Sequence, residues 1–120
     1  MAQSRFLFTS NTYEETVAFY TESMGLPVVH SWTDHGRGTI VATAGESQIE
    51  IFEGETCDPL SNVALAWEVV DVTARYTNLV AAGVPFDAPP VVQPWGHLNC
   101  MLDAPHDLKI TLFTVVGDES

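Results

Sequence analysis

Apolar and polar residues alternate along most of the chain, and two stretches of helical periodicity interrupt the alternation. In QIEIFEG, Ile49 and Ile51 point one way and Gln48, Glu50 and Phe52 the other, as a strand requires. RFLFTS is a first short strand. In NTYEETVAFYTESMG, Val17, Tyr20 and Met24 recur at helical spacing. Asn11 or Thr12 can cap this helix, Glu14 and Glu15 fall in its first turn, and Gly25 ends it. LPVVHSWTD is a strand, HGRG a turn, and TIVATAG and SQIEIFEG a strand pair. The order is β-α-β-β-β. ALAWEVV then opens a second series. Asp71 is a candidate N-cap, VTARYTNLVAAG a helix ending at Gly83, VPFDAPPVV an extended segment broken by prolines, and GHLNCMLD and DLKITLF two strands.

The second series repeats the first. Phe19-Tyr20-Thr21 stands over Arg75-Tyr76-Thr77, Met24-Gly25-Leu26-Pro27 over Ala82-Gly83-Val84-Pro85, and Ile49-Glu50-Ile51-Phe52 over Ile110-Thr111-Leu112-Phe113. The period is about 55–60 residues, an internal duplication. The expected fold class is α+β, a single domain over 1–120 built from two tandem βαβββ modules. The first spans 4–54, a linker 55–62, the second 63–115, and a tail 116–120. A sheet has two faces to cover and its helix covers one. The other is expected to be concave, and two such sheets side by side would enclose a cleft for a ligand.

Charge narrows the partners. Sixteen acidic residues face four basic ones, Arg5, Arg37, Arg75 and Lys109, for a net charge of −12. That disfavours nucleic acid and anionic membranes, which need Lys and Arg. It favours a cationic small molecule, or simply solubility. No stretch approaches the ~20 apolar residues of a membrane span, and MAQSRFLF does not read as a signal peptide, so a cytoplasmic location is expected. Cys57 and Cys100 have no metal-type spacing and read as reduced thiols.

The paired modules, Val17-Ala18-Phe19-Tyr20 before Met24-Gly25-Leu26, Val69-Val70-Asp71-Val72 leading to Ala81-Ala82-Gly83-Val84, and Pro94-Trp95-Gly96 resemble the vicinal oxygen chelate superfamily over about residues 4–115. That superfamily includes glyoxalase I, extradiol dioxygenases, fosfomycin-resistance enzymes and bleomycin-resistance proteins. The resemblance implies a homodimer with two ligand sites. In metal-dependent members the ligands lie on the first and last strand of each half. Carried over, these positions are Arg5, Glu50, Ala64 and Thr111. Of the four, Glu50 alone is a usual metal ligand, whereas a catalytic metal normally takes about three protein ligands. The expectation is therefore no metal, no cofactor and no catalytic residue.

Two readings of Glu50 stay open. Arg5 pairs with it in place of the cation, in a bidentate contact. Alternatively, Arg5 points to solvent and Glu50 faces a ligand. His30 and His97 are expected to line the cleft, and His35 and His106 to be exposed in turns. Trp95, in QPWGHL, resembles the PWG segment near the drug groove of bleomycin-resistance proteins. There the family continues with Arg and then Asp-Pro-x-Gly, whereas Leu98-Asn99 and Asp103-Ala104-Pro105-His106-Asp107 stand here. Parity puts Glu50, Phe52 and Glu68 with Thr9, Ala66 and Phe113 on the concave side, and Trp67 in the core. The expected ligand-binding set is Trp32, Trp95, Glu50, Phe52, Arg5, Glu68, His97 and His30. The first functional reading is a metal-free protein that sequesters an aromatic, cationic or neutral compound such as an antibiotic. The alternatives are a glyoxalase- or dioxygenase-type enzyme with an atypical ligand set, and a fold with a protein-contact role.

Overall fold

A computed structural model describes residues 3–117; of the tail expected at 116–120, residues 118–120 lie outside the described residues. The chain forms two compact units, the first ending at Asp58 and the second beginning at Pro59.

In the first unit, β1 (Ser4–Ser10), α1 (Tyr13–Ala18), β2 (Val28–Trp32), β3 (Gly38–Ala42) and β4 (Ser47–Glu53) follow in that order. The sheet order is β1-β4-β3-β2, with β1 and β4 parallel and the other pairs antiparallel. The helix covers the face that carries Ile49 and Ile51, which are 1% and 0% exposed. Phe8, Val41, Tyr20 and Met24 complete this core. Tyr13 is tied into it through a 2.5 Å hydroxyl contact with Thr39 Oγ1.

The first helix departs from the expected continuous α-helix. It is α-helical over Tyr13–Ala18 and turns into a π-helix over Phe19–Ser23. There the Met24 N–H donates to the Phe19 carbonyl at 2.9 Å, five residues back. The widened turn lies within a buried stretch: Thr16, Tyr20 and Met24 are each 2% exposed or less. Thr12 is the N-cap residue, but its side chain makes no cap bond and its hydroxyl meets Thr16 Oγ1 at 3.3 Å instead. Gly25 ends the segment at φ +71.

The second unit runs β5 (Ala64–Glu68), α2 (Val72–Ala81), β6 (Val91–Val92), β7 (His97–Ala104) and β8 (Leu108–Val115), in the sheet order β5-β8-β7-β6. Again the first and last strands are parallel. Asp71 caps α2, its carboxylate accepting the Ala74 N–H at 3.1 Å. Leu102, Leu108, Ile110 and Leu112 are fully buried, with Cys100, Val72 and Leu79 beside them. The proline-rich segment reduces β6 to two residues plus one bridge, Phe86 to Leu102. The chain is thus α+β, with two βαβββ units whose registers match: Arg5 opposes Gln48 as Ala64 opposes Lys109.

Candidate functional site

Register assigns the face that the first helix leaves uncovered. Arg5, Leu7 and Thr9 on β1 oppose Gln48, Glu50 and Phe52 on β4. Those oppose Ala42, Ile40 and Gly38 on β3, and Ile40 and Gly38 oppose His30 and Trp32 on β2. Five of the eight residues expected at the site therefore share one face: Arg5, His30, Trp32, Glu50 and Phe52.

Arg5 Nη1 donates to Glu50 Oε1 at 3.1 Å. The ion pair is present, but it is not bidentate. Arg5 sits two residues before Leu7, the residue opposite Glu50, so it reaches the carboxylate on a diagonal. Its Nε turns instead to the side-chain carbonyls of Gln48 at 3.0 Å and Gln3 at 2.8 Å. The Arg5 side chain is 40% exposed and that of Glu50 only 12%. Gln48 was not on the expected list, although its parity with Glu50 and Phe52 is visible in the sequence.

An aromatic row lies on the same face. His30 stacks on Trp32 with centroids 5.8 Å apart, and Trp32 meets Phe52 edge-on at 5.9 Å. Gly38 makes this possible: a Cβ there would collide with the Trp32 ring. Trp32 also lines a groove of about 330 Å³ beside α1, with Tyr13, Val17, Thr21 and Arg37. Arg37 lies over the Tyr13 ring at 4.6 Å and pairs with Glu14 and Glu53 at 3.3 and 3.4 Å.

In the second unit, the corresponding face carries Ala64, Ala66 and Glu68, then Lys109, Thr111 and Phe113, then Asp103, Met101, Asn99 and His97. His97 lies flat on Phe113, 4.3 Å between centroids and 6° from parallel. Glu68 is opposite Phe113 and exposed. Trp67 is buried at 8% on the helix side, as parity requires. Trp95 occupies the turn before β7, 43% exposed, and makes no ring contact among the described residues. Its turn is closed by Gln93 N–H to the His97 carbonyl at 2.7 Å. Lys109 holds both Asp87 and Asp103, and those carboxylates raise its pKa. This cluster gave no signal in the sequence, because Asp87 lies in the irregular proline-rich segment. His106 is half-buried in its turn, not exposed as expected, whereas His35 is exposed.

The donor set does not fit a resident divalent ion. Glu50 is engaged by a guanidinium, Ala64 has no donor, and Thr111 offers a hydroxyl. Among the described residues, no group of three or more His, Cys, Asp or Glu side chains is placed to hold a metal.

The family model of the glyoxalase/bleomycin resistance protein/dioxygenase superfamily matches residues 3–112, and the chain belongs to that superfamily. No curated protein matches the chain. Among solved structures, it resembles a glyoxalase/bleomycin resistance protein/dioxygenase from Nocardioides (TM-score 0.79, 16% identity, 99% of this chain and 86% of that one). It also resembles TnmS3, an antibiotic binding protein from Streptomyces sp. CB03234 (TM-score 0.78, 24% identity, 96% of each chain). A third is the bleomycin resistance determinant encoded on transposon Tn5 (TM-score 0.73, 24% identity, 95% of this chain and 98% of that one). At these identities the likeness is one of fold. No helix among the described residues is long and apolar enough to cross a membrane.

Proposed function

We propose that this chain binds a small planar compound, cationic or neutral, with no resident metal and no chemistry performed on it. The observation that carries the reading is the Arg5–Glu50 pair. The one carboxylate at the family's ligand positions is held 3.1 Å from a guanidinium, on the face that bears His30, Trp32 and Phe52. Aromatic contacts contribute about 0.5–1.5 kcal/mol each beyond area burial, and a cation over a ring about as much again. Glu68, His97 with Phe113, and the exposed Trp95 supply the same chemistry on the second unit. The antibiotic-binding and bleomycin-resistance descriptions of two structural relatives support a natural-product antibiotic as the ligand class. The homodimer that the superfamily resemblance implies belongs to the same proposal.

Tryptophan fluorescence tests it. Protein stripped with chelator is titrated with bleomycin, a planar acridine cation and a neutral naphthalene. Saturable quenching by at least one of them, weakened about tenfold or more by Trp32→Ala or Trp95→Ala, is the expected result; tenfold corresponds to ~1.4 kcal/mol. Flat titrations across the panel contradict the proposal.

A further inference from the structure

Three of the four basic side chains have acid partners. Arg5 pairs with Glu50, Arg37 with Glu14 and Glu53, and Lys109 with Asp87 and Asp103. Arg75 forms no ion pair among the described residues, in a chain with sixteen acids. Its Nε is sealed from solvent and has no acceptor among the described residues. Leaving a charged donor buried without an acceptor is costly, and such groups in native proteins call for a reason. The duplication sharpens the anomaly, because Arg75 stands where the first module has Phe19, an apolar ring packed edge-on against Tyr20 at 5.1 Å.

Arg75 lines an open, solvent-facing cavity of about 430 Å³ between the end of β5 and the first turns of α2. That volume lies within the ~300–1,000 Å³ usual for small-molecule sites. Val69, Val70 and Ala74 are its apolar lining, with Val70 itself 97% exposed, and Asn78 is a further polar residue beside it. Two carboxylates, Glu68 and Asp71, stand at the same cavity. Asp71 is committed to the Ala74 N–H as the helix cap, and Glu68 is exposed at the strand end. Arg75 is half-buried and Nε alone of its nitrogens is sealed, so a ligand would meet the pair of terminal nitrogens. A planar guanidinium matches carboxylate and phosphate oxygens, and the apolar lining favours a carboxylate that carries an apolar group.

We infer that this cavity is a second small-ligand site, which takes a carboxylate carrying an apolar group, with Arg75 as its anchor. Apart from Glu68, it uses none of the residues of the aromatic faces, so it stands or falls separately from the function proposed above.

The test is a titration of the full chain with sodium benzoate, followed by two-dimensional ¹H–¹⁵N NMR, with benzyl alcohol and inorganic phosphate as controls. Saturable shifts of the Arg75 Nε–H and of the backbone amides of residues 69–78 are expected. Benzyl alcohol and phosphate should each bind at least tenfold more weakly. Arg75→Met should abolish the backbone-amide shifts, and Arg75→Lys should keep them with reduced affinity. Absence of saturable shifts with benzoate overturns the inference, as does equal binding of either control or persistence of the shifts in Arg75→Met. Should the Met variant fail to fold, the ratio of benzoate to benzyl alcohol on the wild-type protein decides the matter.

Discussion

Arg5 and Glu50 meet at 3.1 Å across two parallel strands, one side chain 40% exposed and the other 12%. The contact is a charge-assisted hydrogen bond next to the aromatic row, and it accounts for a carboxylate facing inward on a strand. A half-exposed pair of this kind contributes about 1 kcal/mol or less to stability. A double-mutant cycle with Arg5→Met and Glu50→Gln, followed by urea unfolding, should give a coupling energy of that order. A coupling indistinguishable from zero would mean that the two side chains do not recognise each other in solution.

Gly38 is the seat of Trp32. A Cβ at this position collides with the indole, so Gly38→Ala must push the ring away from Phe52 and His30. Overpacking of this sort costs about 1–3 kcal/mol. The variant should unfold at lower urea and show a shifted tryptophan emission, and it should lose ligand quenching if the proposed face is the site. Unchanged emission would show that the indole does not rest on Gly38.

The turn between β7 and β8 stores backbone strain. His106 and Asp107 adopt φ of +65 and +66, the left-handed region that costs L-residues about 1–2 kcal/mol. Asp107→Gly should raise stability by about 0.5–1 kcal/mol, net of the extra freedom that glycine gives the unfolded chain. Thermal or urea unfolding checks it; a loss of stability would show that the Asp107 side chain holds the turn.

Burial pushes the Cys100 thiol up to about 11 from its ordinary 9.0. The unfolded thiol ionises near its ordinary value and the folded one does not. Between pH 9 and 11 the unfolded state therefore binds fewer protons, and stability falls as pH rises through that window; below it, the contribution is fully present. Burial raises Tyr20 as well, which adds a loss in the same direction at higher pH. Urea midpoints should decline from pH 8.5 to 10, and Cys100→Val should flatten that decline. At pH 8, a thiol reagent should modify Cys57 in native protein, and Cys100 only after unfolding. An equal slope in the variant would place the titration elsewhere.

Most of the fold was legible because strand parity and glycine punctuation are local signals. The alternation around Glu50 and the apolar run of β8 set both faces correctly, and parity alone separated Trp67 from the aromatic faces. Asp71 was readable as a cap because its carboxylate acts three residues away. What escaped depends on tertiary contacts. The π-turn over Phe19–Ser23 is a change of helical pitch that the apolar spacing of Val17, Tyr20 and Met24 does not reveal. The diagonal reach of Arg5, and with it the part played by Gln48, follows from the β1–β4 register. Arg75 is unusual only for what it lacks, and the sequence alone does not say which acids reach which bases.

The account rests on Arg5 taking the role of an ion, and metal content tests that most directly. Protein purified without chelator, then dialysed, should carry far less than one equivalent of any divalent metal by elemental analysis, and Glu50→Ala should not change the figure. One equivalent of a divalent ion retained by the wild type and lost in Glu50→Ala would contradict it.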